Sequence, residues 1–173
     1  MSKRALKKYL SGLTKPQLED QVLDLYQRFS EVSAFYNFVF NPKEEKLLKE
    51  AKFKISREYF PANNRKARAR RSVAQKLIKH YMKLGVDPHV LADIMLFNLE
   101  IAQTFSGDKH EVKEAFSRSM FKSFEQAINY IYQNGLIQEY ITRILKITEI
   151  TQSQNWDNTY KFEKLAEQFN QHS

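Results

Sequence analysis

The sequence predicts an all-α fold: about eight helices in sequential antiparallel hairpins, forming a compact bundle or a short α-solenoid-like superhelix. Residues 1–173 read as a single all-helical domain. Three observations carry this expectation. Glycine and proline occur only four times each, too few for the many tight turns of a β-sandwich or barrel. Apolar residues recur at helical spacing in one stretch after another. The segments between those stretches are short and carry helix start and stop residues, so each helix returns alongside the one before it. An apolar share of 42% and an aromatic share of 13% supply the core. No fixed-period repeat of a solenoid family is present.

The elements follow in order. A short helix covers Lys3 to Leu10. Thr14 then offers an N-cap, with Gln17 as its capping-box partner, and Leu18, Val22, Leu25, Tyr26 and Phe29 form an apolar stripe behind it. The aromatic run Phe35 to Phe40 reads as a short buried helix. Asn41-Pro42-Lys43-Glu44 is a helix start: the asparagine caps, the proline suits the first helical position, and the glutamate reaches back. Leu47, Leu48, Ala51, Ile55 and Tyr59 line one face of that helix. Pro61 and Asn63-Asn64 break the chain, and a helix from Arg65 to Leu84 ends at Gly85, which suits a left-handed position. Asp87-Pro88 opens a helix to Phe105 that is apolar on nearly all faces and therefore belongs at the centre of the fold. Helices from Lys109 to Asn134, Leu136 to Thr151 and Asn158 to Asn170 complete the chain. The last buries Tyr160 or Phe162, and Trp156 packs it onto the bundle.

Charge is distributed unevenly. Residues 1–90 hold 20 Lys/Arg against 9 Asp/Glu, whereas residues 91–173 hold 8 against 11. The sharpest feature is the stretch from Arg65 to Lys83, with eight cations and no acid. On one continuous helix these cations line a path of about 27 Å, a match for a run of phosphates. Arg65, Lys66, Arg68, Arg71, Lys76, Lys79 and Lys83 are the expected polyanion contacts, while Arg70 projects onto the apolar stripe and must either lie beyond the end of the core or find a partner there. The opposing reading is a solvated helix face together with internal pairs. A hairpin at Gly85–Asp87 places Asp93 near Lys79 or Lys76, and Glu100 near Arg71 or Arg68. Acids on an otherwise apolar helix require such partners.

Signatures of catalysis are missing. Without cysteine there is no disulfide, thiolate metal site or cysteine nucleophile, which fits a reducing cytoplasm. The chain holds no Gly-rich phosphate loop and no nucleophile elbow. His89 and Asp93 share a face at metal-ligating spacing without an evident third ligand. His110-Glu111 opens like a zinc-protease motif that lacks its second histidine. No metal and no cofactor is expected. The basic opening Met1 to Lys8 is not followed by an uninterrupted apolar stretch, so neither a signal peptide nor a membrane span is expected.

Two blocks, Asn41-Pro42-Lys43-Glu44-Glu45-Lys46-Leu47-Leu48 through Glu58-Tyr59-Phe60-Pro61, and Lys66-Ala67-Arg68-Ala69-Arg70-Arg71-Ser72-Val73-Ala74, stand beside the opening Leu6-Lys7-Lys8-Tyr9-Leu10. Together they resemble an uncharacterised family of small bacterial proteins of unknown function. The resemblance implies a bacterial cytosolic protein and supplies no catalytic residue. The leading functional expectation is a non-enzymatic helical module that binds another protein or its own copy. The alternative is a sequence-nonspecific nucleic-acid-binding protein using residues 65–83.

Overall fold

The computed structural model describes residues 2–63, 65–107 and 112–170. Among them are nine α-helices and no strand: α1 (Lys3–Leu10), α2 (Lys15–Arg28), α3 (Ser30–Phe40), α4 (Glu44–Tyr59), α5 (Arg71–Leu84), α6 (Pro88–Gly107), α7 (Glu114–Gln133), α8 (Ile137–Ser153) and α9 (Thr159–Asn170). The fold is all-α, as the helical spacing predicts. None of these helices is long and apolar enough to cross a membrane. The chain divides into two compact units, Met1–Lys43 and Glu44–Ser173.

In the first unit, α2 and α3 pack as a hairpin. The Ser2 hydroxyl accepts from the Ala5 N–H at 3.2 Å and caps α1. The Thr14 N–H donates to Gln17 Oε1 at 2.9 Å, one half of the expected capping box. Gln21 Nε2 donates to the Tyr9 hydroxyl at 2.6 Å, and the Tyr26 hydroxyl donates to Asn37 Oδ1 at 3.0 Å. No described residue of this unit is buried. That corrects the expectation for the aromatic run: α3 is a helix, but Phe40 is 81% exposed and Val39 50%. Tyr36 meets Phe35, Phe40 and Tyr26 with ring centroids 5.5–6.5 Å apart, so the aromatics contact one another without being enclosed. Asn41 ends α3 instead of starting α4; its N–H donates to the carbonyls of Asn37 and Phe38.

In the second unit α6 packs against α4, α5, α7 and α8. Leu91, Ala92, Ile94, Met95, Leu96, Leu99 and Ala102 of this helix are buried, so the element that is apolar all round is the centre of this unit. α4 buries Ala51, Ile55 and Tyr59 of its expected face, and α5 buries Ala74, Ile78, Tyr81 and Leu84. The turns are local chemistry. Gly85 sits at φ 77° and Gly135 at φ 72°, where a Cβ is disfavoured. The N–H groups of Val86 and Leu136 bond back to the carbonyls of Tyr81 and Ile131, five residues earlier in each case, closing Schellman ends. Phe162 is the residue α9 buries, while Tyr160 stays 62% exposed. Trp156 meets Phe116 and Phe162 edge-on at 5.7 and 5.9 Å.

Three boundaries depart from expectation. α7 begins at Glu114, not Lys109, with Lys113 in extended conformation as its N-cap. α4 begins at Glu44, whose carboxylate accepts the Asp87 N–H at 2.9 Å. α5 begins at Arg71, not Arg65. The residues before it favour helix by composition, yet they are cations at a helix N-terminus, opposed by the macrodipole and by one another at three- and four-residue spacing. Lys109, His110 and Glu111 lie outside the described residues, as do Asn64 and His172.

Candidate anion-binding cleft

The site grows from Glu58, an acid in the last turn of α4. The macrodipole disfavours a carboxylate there, so it needs cationic partners. Arg70 supplies them: its Nε and Nη2 donate to the two Glu58 carboxylate oxygens, each at 2.8 Å. The Glu58 carbonyl accepts the N–H groups of Arg68 and Ala69, at 3.1 and 2.9 Å. One residue thus ties down residues 68–70 through main chain and side chain together. Ala69 turns with φ 48°, an unfavourable conformation for a residue with a Cβ, held by these bonds. The Arg70 hydrogen bond lowers the Glu58 carboxyl pKa, and Arg68 adds to the effect against the contrary pull of burial.

The loop so held walls a cleft of about 1010 Å³ with Arg57, Arg65, Lys66, Arg68 and Arg70 among its lining, and Glu58 as its carboxylate. A second, more apolar groove of about 480 Å³ shares Arg57 and Glu58 with it. Phe53, Val73 and Leu77 line that groove together with Lys54 and Lys76. The Arg57 guanidinium lies 5.5 Å from the Phe53 ring centroid, a cation–π distance.

The expected polyanion contacts therefore separate. Arg65, Lys66 and Arg68 line the cleft, on a loop and not on a helix. Lys76 lines the groove, and Lys79 and Lys83 are exposed along α5. None of these six forms an ion pair among the described residues. Arg71 departs from the pattern. Its Nε donates to Ser123 Oγ at 2.7 Å and its Nη2 to Gln126 Oε1 at 3.5 Å, and burial lowers its pKa. It fastens α5 to α7. The single helical path of cations does not exist.

The acids of α6 are paired, but with other cations than the basic helix. Asp93 lies 2.7 Å from Lys52 Nζ and 2.8 Å from Arg143 Nη1. Glu100 accepts from Arg143 Nε at 2.8 Å and Nη2 at 3.0 Å. α4 and α8, not α5, cover the charged strip of α6. His89 Nδ1, on the same strip, faces Glu139 Oε2 at 3.2 Å. Burial pushes the Asp93 carboxyl up, but the hydrogen bonds from Lys52 and Arg143 outweigh it and leave the pKa low.

Sequence reasoning missed Phe53, Arg57 and Glu58. The isolated acid at the end of α4 was the available signal, since such a carboxylate calls for a cation nearby. Phe53 carried no signal, because exposure of an aromatic depends on which face its neighbours cover. No curated protein and no solved structure matches the chain. Residues 1–170 match the model of a family of unknown function, DUF6155, and the chain belongs to that family.

Proposed function

We propose that this is a non-enzymatic helical interaction module, and that its first unit is the surface it offers to a protein partner or to its own copy. One observation carries the reading. Ten large apolar side chains between Leu6 and Phe40 are exposed, Leu23 at 57% and Phe40 at 81% among them, and no described residue of the unit is buried. Scattered apolar residues are ordinary on a surface; eight of these ten fall between Val22 and Phe40, and so dense a set supports an interaction site. A cytoplasmic location accords with a chain that has no cysteine. The test compares wild type with the double variant Leu23→Asp, Phe40→Asp by sedimentation velocity over a range of concentrations and by affinity capture from cells. Self-association or a retained partner, lost in a variant of unchanged helicity, supports the module. A wild type that stays monomeric and retains nothing beyond what the variant retains overturns it.

A second reading, sequence-nonspecific nucleic-acid binding, has its own support. The unpaired cations Arg65, Lys66, Arg68, Lys76, Lys79 and Lys83 are available to phosphates, three of them in one cleft. Arg71 leaves the set because its guanidinium is engaged by α7. Duplex DNA binding with a steep salt slope, flattened in the variant Arg65→Glu, Arg68→Glu, is the expected result; no binding at low salt removes the reading.

A further inference from the structure

We propose that the cleft and the adjoining groove form one bipartite site for single-stranded nucleic acid, with phosphates held by Arg65, Lys66 and Arg68 and a base stacked on Phe53. This rests on the second reading above and narrows it. The cleft and the groove share Arg57 and Glu58 as a common wall, so a chain leaving one enters the other. Their chemistries differ in the way the parts of a nucleotide differ. The cleft presents the guanidinium forks of Arg57, Arg65 and Arg68 and the Lys66 ammonium group, donors suited to phosphate oxygens, beside a Glu58 carboxylate that Arg70 already engages. The groove presents an aromatic ring and two aliphatic side chains, Val73 and Leu77, together with Lys54 and Lys76.

Phe53 decides between ligand classes. The ring is 63% exposed, and it joins none of the aromatic pairs among the described residues. Its recorded ring partner is the Arg57 guanidinium at 5.5 Å. A duplex keeps its bases stacked inside and offers such a ring only sugar and phosphate. A single strand offers unstacked bases, and a ring beside cations is how sequence-tolerant single-strand sites are built. A planar base extends the stack begun by Arg57 and Phe53. An acidic peptide satisfies the cations equally well, but its charged side chains bring nothing planar for the ring.

The test uses the full chain and fluorescence anisotropy with a labelled thymidine oligonucleotide, a duplex of the same length, and polyglutamate as competitor, at low and moderate salt. The single strand is expected to bind roughly tenfold more tightly than the duplex. Phe53→Ala is expected to weaken the single strand by roughly 5- to 100-fold, as loss of one stacked base does, while duplex affinity stays within about twofold. Phe53→Trp restores single-strand binding, and circular dichroism confirms that each variant is folded. The variant Arg65→Glu, Arg68→Glu weakens both ligands. Equal binding of both nucleic acids, indifferent to Phe53, overturns the single-strand site and leaves the broader reading standing. No binding of either at low salt overturns both. Displacement by polyglutamate as effective, charge for charge, as by unlabelled oligonucleotide overturns the site in favour of an acidic protein partner.

Discussion

Asp93 shows how one side chain is held by several elements at once. Lys52, Asp93, Arg143 and Glu100 alternate in sign across α4, α6 and α8, and Arg143 also lies 5.9 Å from the Tyr140 ring. Asp93 Asn substitution, Asp93→Asn, leaves two half-buried cations without their shared carboxylate. Breaking a fully buried pair costs roughly 3–5 kcal/mol. The Asp93 side chain is 22% exposed and its partners about a third, so a smaller loss of about 1–2 kcal/mol is expected in urea denaturation. An unchanged midpoint would contradict the network. The pH dependence has a definite sign. The folded-state pKa of Asp93 lies below its ordinary 3.8, so its contribution is fully present above that value and fades as pH falls through the lower folded one. The stability gap between wild type and Asp93→Asn should hold steady from pH 7 to 5 and close below about pH 4.

At the scale of the element, α6 and the start of α5 illustrate opposite outcomes of helix chemistry. α6 is covered by four neighbours, and its Leu99 is 1% exposed. Leu99→Ala should cost roughly 2–5 kcal/mol through lost burial and a residual cavity. The adjacent Asn98 is equally buried, yet neither its Oδ1 nor its Nδ2 has a hydrogen-bond partner among the described residues. Its desolvation is uncompensated, so Asn98→Ala should cost less than about 1 kcal/mol. Parallel thermal melts of the two variants check the contrast, and equal losses would refute it. The start of α5 is governed by charge. Extending the helix back to Arg65 would gather cations at its positive end, whereas ending it at Arg71 lets Glu58 take Arg70 and Ser123 take Arg71.

On the scale of the whole molecule, the buried core is confined to one stretch of chain, while ten of the exposed large apolar side chains lie in the other. Every buried described residue lies between Ala51 and Ala166. Residues 44–173 are therefore expected to unfold cooperatively when produced without the first unit. Residues 1–43, near the lower size limit of about 40 residues for an unaided domain and with no buried side chain to stabilise them, are expected to be largely unfolded alone. Circular dichroism melts of the two fragments test this; a non-cooperative melt of residues 44–173 would show that the core depends on the first unit. If the first unit is the interaction surface, the larger fragment also loses the self-association or partner retention of the full chain.

Local signals were enough to read the helices, the left-handed turn at Gly85, and the central place of α6. Each depends on neighbours within a turn or two, or on a face count that leaves no side for water. Three matters were decided only in the tertiary structure. The basic run leaves the helix because a carbonyl and a carboxylate on α4 capture it. Asp93 and Glu100 choose Lys52 and Arg143 because α4 and α8 cover their strip. Phe35 and Phe40 of α3, which composition alone would bury, stand exposed. Apolar content measures how strongly a segment seeks cover, and spacing along the chain says which side seeks it. Neither says which surface arrives to provide it.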